Sequence, residues 1–171
     1  NQIERDLSKL LKTKVVLNFF GSDCSPVFEP FEAFKNLAEF VNEDTYQTDT
    51  FKETPSLLKL DTAMDSYTSH FLRFDALRSR CRITSQPDWG DILISYTSKK
   101  HIDEESLMKY LTSFRGENHF HEEITECCYK RLYDLLDIEH DRNAALFVSA
   151  LYTRRGGIDI NPVRASNNSM L

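Results

Sequence analysis

A cysteine and an aspartate seven residues apart form the first candidate for covalent chemistry. Cys81 is followed by Arg-Ile-Thr-Ser-Gln-Pro and then by Asp88. A strand that ends near Cys81, followed by a turn at residues 86–88, can bring the carboxyl back toward the thiol. That arrangement pairs a nucleophile with a proton donor. Spacing alone favours the plainer interpretation, a small core cysteine beside a turn-forming Pro-Asp pair.

A histidine and a glutamate open the second long helix pattern of the chain. His121 could transfer a proton, and the carboxylate of Glu122 could accept hydrogen bonds from a ligand's amine and ring N–H groups. Acidic residues are also favoured in the first turn of any helix by its dipole. In isolation the pair is therefore better explained as an ordinary helix start.

Two arginines before two glycines, at residues 154–157, form a candidate anion site. Arginine forks match phosphate oxygens, and glycine lets a backbone approach an anion closely, so Arg155 and Gly156 could contact a dinucleotide. A solvated turn with charged flanks explains the same residues equally well. The chain has no G-x-G-x-x-G or Walker pattern, which excludes a Rossmann or P-loop mode of binding.

The sequence does not predict a metal site. The soft ligands that could converge on zinc are Cys81, His119, His121, Cys127 and Cys128. On a helix, His119 and His121 point roughly 200° apart, and adjacent cysteines do not have a chelating spacing. We expect the four cysteines of the chain to be reduced thiols, as in a cytoplasmic protein.

The second half of the chain predicts an α+β domain with the element order ββααββ. Residues 71–83 and 91–97 alternate apolar and polar side chains, which is typical of an antiparallel hairpin. Asp103 and Asn118 are predicted helix caps, each followed by an apolar stripe at helical spacing. Two further strands are predicted at residues 144–153 and 158–163. The economical packing is an antiparallel four-stranded sheet with two helices on one face.

The first half of the chain is less regular. Residues 2–11 have apolar side chains at helical spacing, and residues 14–20 (KVVLNFF) predict a strand. Turn-forming residues fill positions 21–30, and residues 31–41 predict a short helix. The polar and acidic residues 42–55 predict a surface loop.

Composition excludes several classes of protein. The chain has 171 residues, 21 basic and 27 acidic side chains and a net charge of −6. Its hydrophobic fraction of 40% and its 12 phenylalanines are enough for a folded core and argue against bulk disorder. The acidic balance argues against direct nucleic-acid binding, and the longest apolar run, residues 144–152, is half a membrane span. We therefore expect a cytoplasmic protein.

Four segments together resemble one family, the NADPH-dependent 7-cyano-7-deazaguanine reductases, which are the nitrile reductases of queuosine biosynthesis, a tRNA modification. The segments are residues 79–90 (SRCRITSQPDWG), 110–115 (YLTSFR), 120–122 (FHE) and 152–162 (YTRRGGIDINP). Each motif is weak by itself. Their occurrence in family order over roughly residues 67–166 makes the combination specific.

The resemblance implies a fold and a reaction. The family has the tunnelling fold, built from ββααββ modules. Cys81 is implied to add to the nitrile carbon of 7-cyano-7-deazaguanine and form a covalent thioimide, and Asp88 to donate a proton. His121 and Glu122 are implied to contact the deazaguanine, with His121 also assisting proton transfer. Arg155 and Gly156 are implied to lie at the NADPH site, and two hydride transfers would give 7-aminomethyl-7-deazaguanine.

The chain departs from the long, two-module members of the family that it most resembles. Those members carry a Glu-Ser-Lys-Ser cofactor motif in their first module, and residues 104–109 (EESLMK) are only a degenerate copy of it. Residues 1–20 resemble the tail of a preceding module, residues 21–66 a connecting segment and residues 67–171 the catalytic module. We expect activity from complete chains, assembled as a homodimer with ligand sites at module interfaces.

Two other functions remain open at the level of sequence. A tunnelling-fold hydrolase that acts on a pterin or a purine, in the manner of a cyclohydrolase, would need a bound zinc ion. A non-catalytic module would bind a purine or support assembly. Stoichiometric zinc would favour the first, whereas ligand binding that survives Cys81→Ala and Asp88→Ala, without turnover, would favour the second.

Overall fold

The computed structural model describes residues 1–18, 33–61, 63–153 and 159–167, which fall into two compact units. The first unit, residues 1–31, contains helix α1 (Gln2–Leu11). Asn1 caps this helix by accepting a hydrogen bond from the backbone N–H of Ile3, and Lys12 ends it in the left-handed conformation.

The strand predicted at residues 14–20 is not formed over residues 14–18, the part that the structure describes. The backbone N–H of Val15 donates instead to Ser8 Oγ, and that of Leu17 donates to Glu4 Oε1, both at 2.9 Å. Side chains of α1 thus satisfy backbone groups that a strand would pair with another strand.

The second unit, residues 32–171, is built on a six-stranded sheet. Its long strands are β2 (Thr68–Cys81), β3 (Pro87–Ser98) and β5 (Ala145–Tyr152), joined at one edge by β6 (Val163–Ala165). These four strands pair antiparallel in the order β2-β3-β5-β6. The predicted antiparallel four-stranded sheet is therefore confirmed. Two further strands of two residues each are added to it.

The additions are β1 (Lys35–Asn36) and β4 (Asn118–His119), which both pair parallel with β2. β1 pairs near the middle of β2, at Leu72 and Arg73, whereas β4 pairs at its end, at Arg80 and Cys81. From β2 onward the element order is thus the predicted ββααββ, with a 3₁₀ helix (Phe114–Gly116) and β4 inserted between the two helices.

Helices α2 (Glu104–Ser113) and α3 (His121–Leu136) supply the other half of the core. As predicted, Asp103 caps α2, and its carboxylate accepts a hydrogen bond of 2.7 Å from the backbone N–H of Ser106. Alternate residues of β3 are buried, which places one face of the sheet against the helices. Fully buried members of this core include Ile92, Tyr96, Leu107, Tyr110, Phe114, Ile124, Leu132, Leu146 and Val148.

Four predictions about the elements of the second unit are wrong in their bounds or their type. Pro87 and Asp88 belong to β3 rather than to a turn, since a proline can occupy the first position of a strand. Asn118 lies in β4, and Phe120 is the N-terminal residue flanking α3. The helix predicted at residues 31–41 is, over the described positions, β1 followed by a 3₁₀ helix (Leu37–Phe40). The last strand is Val163–Ala165, and residues 159–162 are irregular.

In the described part of the chain, no helix combines the length and the apolar character that crossing a membrane would require.

Candidate active site

Cys81 is the last residue of β2 and faces a tight connection to β3. Its backbone N–H donates to the carbonyl of Gln86 at 2.8 Å, and its carbonyl accepts from the backbone N–H of Ser85 at 2.9 Å. Ser79 pairs directly with Asp88 in the hairpin. Because residues two apart on a strand share a face, Cys81 and Asp88 project to the same side of the sheet.

The pKa of the Cys81 thiol is lowered by its local hydrogen bonds. The largest cause is a hydrogen bond from the Thr84 side chain, followed by backbone hydrogen bonds from Thr84 and Ile83. The slight burial of the thiol and the negative charge of Asp88 both oppose this shift by raising the pKa of Cys81. A partly exposed thiol with a lowered pKa has the character of a nucleophile rather than of a core residue.

The side chains of Asp88 and His121 contact each other. Nε2 of His121 lies 3.3 Å from Oδ2 of Asp88, and both side chains are only 10% exposed. His121 is the first residue of α3, and its imidazole also stacks on the ring of Tyr152 from β5. Three elements thus position the carboxyl and the imidazole, which belong to separate motifs in the sequence.

Cys81, Asp88 and His121 border one pocket of about 400 Å³. Its described lining is Cys81, Asp88, His119, Phe120, His121, Glu122, Thr153 and Ile160. The volume lies in the range of small-molecule sites. Glu122 is exposed at the rim of this pocket. All the predicted site residues that the structure describes therefore border the same pocket, namely Cys81, Asp88, His121 and Glu122. Arg155 and Gly156 lie outside the described residues.

His119 is a pocket residue that sequence reasoning considered only as a metal ligand. It pairs with Cys81 through β4, and its Nε2 lies 2.7 Å from Oε2 of Glu117, with Nδ1 3.5 Å from Oε2 of Glu123. A strand of two residues has no periodicity, and the cap predicted at Asn118 placed His119 on a helix. The sequence therefore carried no signal for its position.

The other soft ligands lie apart from this pocket. Cys128 is fully buried in the core, and burial raises the pKa of both Cys128 and Cys127. Cys81, Cys127 and Cys128 are all free thiols. Within the described residues, no group of three or more histidines, cysteines or carboxylates is arranged to hold a metal ion.

Comparison with known proteins supports the resemblance found in the motifs. Residues 87–170 match the family described as QueF-like protein. The chain is 37% identical over 167 residues to the NADPH-dependent 7-cyano-7-deazaguanine reductase of Colwellia psychrerythraea, with 96% of this chain and 56% of that protein covered. It is 38% identical over 169 residues to the enzyme of the same name from Coxiella burnetii, with 96% and 55% covered.

The enzyme of that name from Acinetobacter baylyi is 36% identical over 171 residues, with 99% of this chain and 58% of that protein covered. The chain thus spans about half the length of the curated relatives it matches. Among solved structures, the apo form of the archaeosine synthase QueF-Like is similar at a TM-score of 0.47 and 19% identity, covering 59% of this chain and 93% of that one.

Proposed function

We propose that this chain, a relative of the 7-cyano-7-deazaguanine reductases, carries the catalytic residues of an NADPH-dependent reductase that converts 7-cyano-7-deazaguanine to 7-aminomethyl-7-deazaguanine. One observation carries the proposal: an activated thiol, Cys81, borders the same pocket as the contacting pair Asp88 and His121. The names of the relatives supply the substrate and the cofactor.

The first step is the addition of the Cys81 thiolate to the nitrile carbon. A carbon–sulfur bond forms, one π bond of the nitrile breaks, and the nitrogen takes a proton from Asp88. The product is a neutral thioimide. The lowered pKa of Cys81 supports this step, because the thiolate is the nucleophilic form.

From nitrile to amine the reaction takes two hydrides, which bound NADPH would supply, and two protons, the first of which Asp88 has given in forming the thioimide. The first hydride adds to the thioimide carbon, and loss of the Cys81 thiolate leaves an imine. The second hydride and a proton give the primary amine. His121, within 3.3 Å of the Asp88 carboxyl group, would return protons to that group.

The pocket supports recognition of a two-ring base. Its volume of about 400 Å³ suits a ligand of that size, and Phe120 and Ile160 provide apolar lining. Glu122 at the rim would accept hydrogen bonds from the amine and ring N–H groups of the deazaguanine, with His121 as a second contact.

The described lining suits the base better than it suits a dinucleotide phosphate. Its acidic residues are Asp88 and Glu122, and none of the described lining residues is a lysine or an arginine. Phosphate binding therefore needs a basic segment outside this lining, and we assign that role to Arg155 and Gly156, as the family resemblance implies.

The complete protein is expected to act as a homodimer with sites at module interfaces, in the cytoplasm. Sedimentation of the full-length protein at several concentrations will give the subunit number. A monomer that retains full turnover would contradict the assembly.

Mass spectrometry of the full-length protein will test the reaction. Incubation with 7-cyano-7-deazaguanine should add the mass of one ligand per Cys81, and NADPH should be oxidised only when the nitrile is present. Cys81→Ala should lose both signals, whereas the matched variant Cys127→Ala should retain them. A wild-type protein that forms no adduct and oxidises no NADPH with the nitrile would refute the proposal.

A further inference from the structure

We propose that Tyr152 is a positioning residue for His121: its ring holds the imidazole against Asp88 so that the pair can transfer protons during nitrile reduction. This inference rests on the function proposed above. Tyr152 is not among the described residues that line the pocket, so it would act through His121 rather than on the substrate.

The geometry of the contact is that of a close parallel stack. The ring centroids of His121 and Tyr152 are 3.7 Å apart, and the ring planes differ by 6°. On another side the same imidazole meets the Asp88 carboxylate at 3.3 Å. Since Tyr152 ends β5 and Asp88 lies in β3, the imidazole at the start of α3 contacts side chains from two neighbouring strands.

Gly90 provides the space that this stack needs. Gly90 pairs directly with Tyr152 across β3 and β5. A Cβ atom at Gly90 would lie 3.0 Å from Cδ1 of Tyr152, closer than ordinary van der Waals contact. The absence of a side chain at this one position therefore allows the tyrosine ring to lie where it can cover His121.

The ring, rather than the hydroxyl, makes the contact. The Tyr152 hydroxyl is buried and has no hydrogen-bond partner among the described residues. Burial raises the pKa of Tyr152 well above its usual range, with smaller contributions from Cys128 and Asp88, so the phenol stays protonated. Phenylalanine would preserve the stack without the hydroxyl, whereas leucine would remove it. This difference gives a conservative variant for the test.

The expected effect follows from how strictly proton transfer depends on distance. Displacement of a reacting group by about 1 Å can cost about 100-fold in rate. Tyr152→Leu should therefore lower kcat about 10- to 100-fold, with a smaller change in KM, because Glu122 and the pocket walls still bind the base. Tyr152→Phe should keep kcat within about twofold of wild type, because phenylalanine keeps the ring that stacks on His121 and removes only a hydroxyl without a hydrogen-bond partner among the described residues.

The test uses the full-length protein with 7-cyano-7-deazaguanine and NADPH, in two measurements. Steady-state kinetics will compare wild type, Tyr152→Phe, Tyr152→Leu and the control Tyr129→Leu, which removes a partly buried aromatic ring from α3, the helix that begins at His121. NMR of protein with ¹³C-labelled histidine will report the ring protons of His121. A stacked tyrosine should shift them upfield in wild type and Tyr152→Phe, and Tyr152→Leu should abolish the shift.

Each outcome decides the proposal. Loss of kcat in Tyr152→Leu, with Tyr152→Phe and Tyr129→Leu near wild type, supports it. Equal kcat in wild type and Tyr152→Leu overturns positioning while leaving the proposed function standing. Equal losses in Tyr152→Phe and Tyr152→Leu assign the effect to the hydroxyl and overturn it too. If Tyr152→Leu does not fold, an unshifted His121 signal in wild type, or an impaired Tyr152→Phe, still overturns it. An inactive wild type overturns both proposals.

Discussion

Adding a single methyl group at Gly90 should disturb both the stability and the chemistry of this chain. Gly90 lies in β3 between Asp88 and the buried Ile92. A Cβ atom there would lie 2.8 Å from the carbonyl oxygen of Leu151, 3.0 Å from Cδ1 of Tyr152 and 3.1 Å from its Cα. All three distances are shorter than the 3.4 Å at which ordinary contact begins.

Two opposing effects set the magnitude of Gly90→Ala. Replacing glycine by alanine reduces the conformational entropy of the unfolded chain and stabilises the fold by about 0.4–1 kcal/mol when the native backbone suits alanine. Forcing an extra carbon into a packed site costs about 1–3 kcal/mol. Two of the three close atoms are backbone atoms of β5, which cannot move without shifting the strand. The steric cost therefore wins, and we expect a net loss of about 1–2 kcal/mol.

Urea unfolding will measure this loss. With a slope of about 2 kcal/mol per M, the midpoint should fall by about 0.5–1 M. Ser95→Ala is the matched control, because it changes the opposite face of the same strand and introduces no new atom. Cys81 should also form its adduct more slowly in Gly90→Ala, because the methyl group displaces the Tyr152 ring that holds His121. A midpoint and an adduct rate equal to those of wild type would refute the steric reasoning.

Further predictions concern the thiols and the core. Thr84→Val should raise the pKa of Cys81 and so slow the alkylation of this thiol at neutral pH. Mass spectrometry will measure the rate, with Cys127 as the internal control. An unchanged alkylation rate would contradict the role of the Thr84 hydroxyl. In wild type, Cys81 should be alkylated faster than Cys127 at neutral pH, because hydrogen bonds lower the pKa of Cys81 and burial raises the pKa of Cys127. The difference between the two alkylation rates should narrow as the pH rises above the pKa values of both thiols. Leu132→Ala, at a fully buried position, should lower the free energy of unfolding by about 2–5 kcal/mol in the urea assay, and a loss below 1 kcal/mol would contradict its place in the core.

Long elements with clear periodicity could be predicted from the sequence. The alternation in β2, β3 and β5 and the apolar stripes of α2 and α3 identified all five, because burial of one face imposes a repeat on many residues. The two-residue strands β1 and β4 could not be found in this way. Each exists through its pairing with β2, and that pairing depends on residues far away in the chain.

The irregular ends of elements were also beyond the sequence. Pro87 and Asp88 have turn-forming side chains, yet they pair with β2 and extend β3. Local propensity favoured the turn, and the hairpin hydrogen bonds outweighed it. The consequence for the site is direct, because the strand register fixes Asp88 on the same face as Cys81.

The sequence by itself determined the residue types and their order: a thiol, a carboxyl, an imidazole and a second carboxylate, spaced as in the reductases that the chain resembles. It also determined the α+β class, through periodicity. Only the tertiary structure decided that Asp88 meets His121, that Tyr152 stacks on that imidazole, and that His119 borders the pocket beside Cys81. These contacts join strands and helices far apart in the chain, and they follow from sheet register and core packing, which no local pattern of residues encodes.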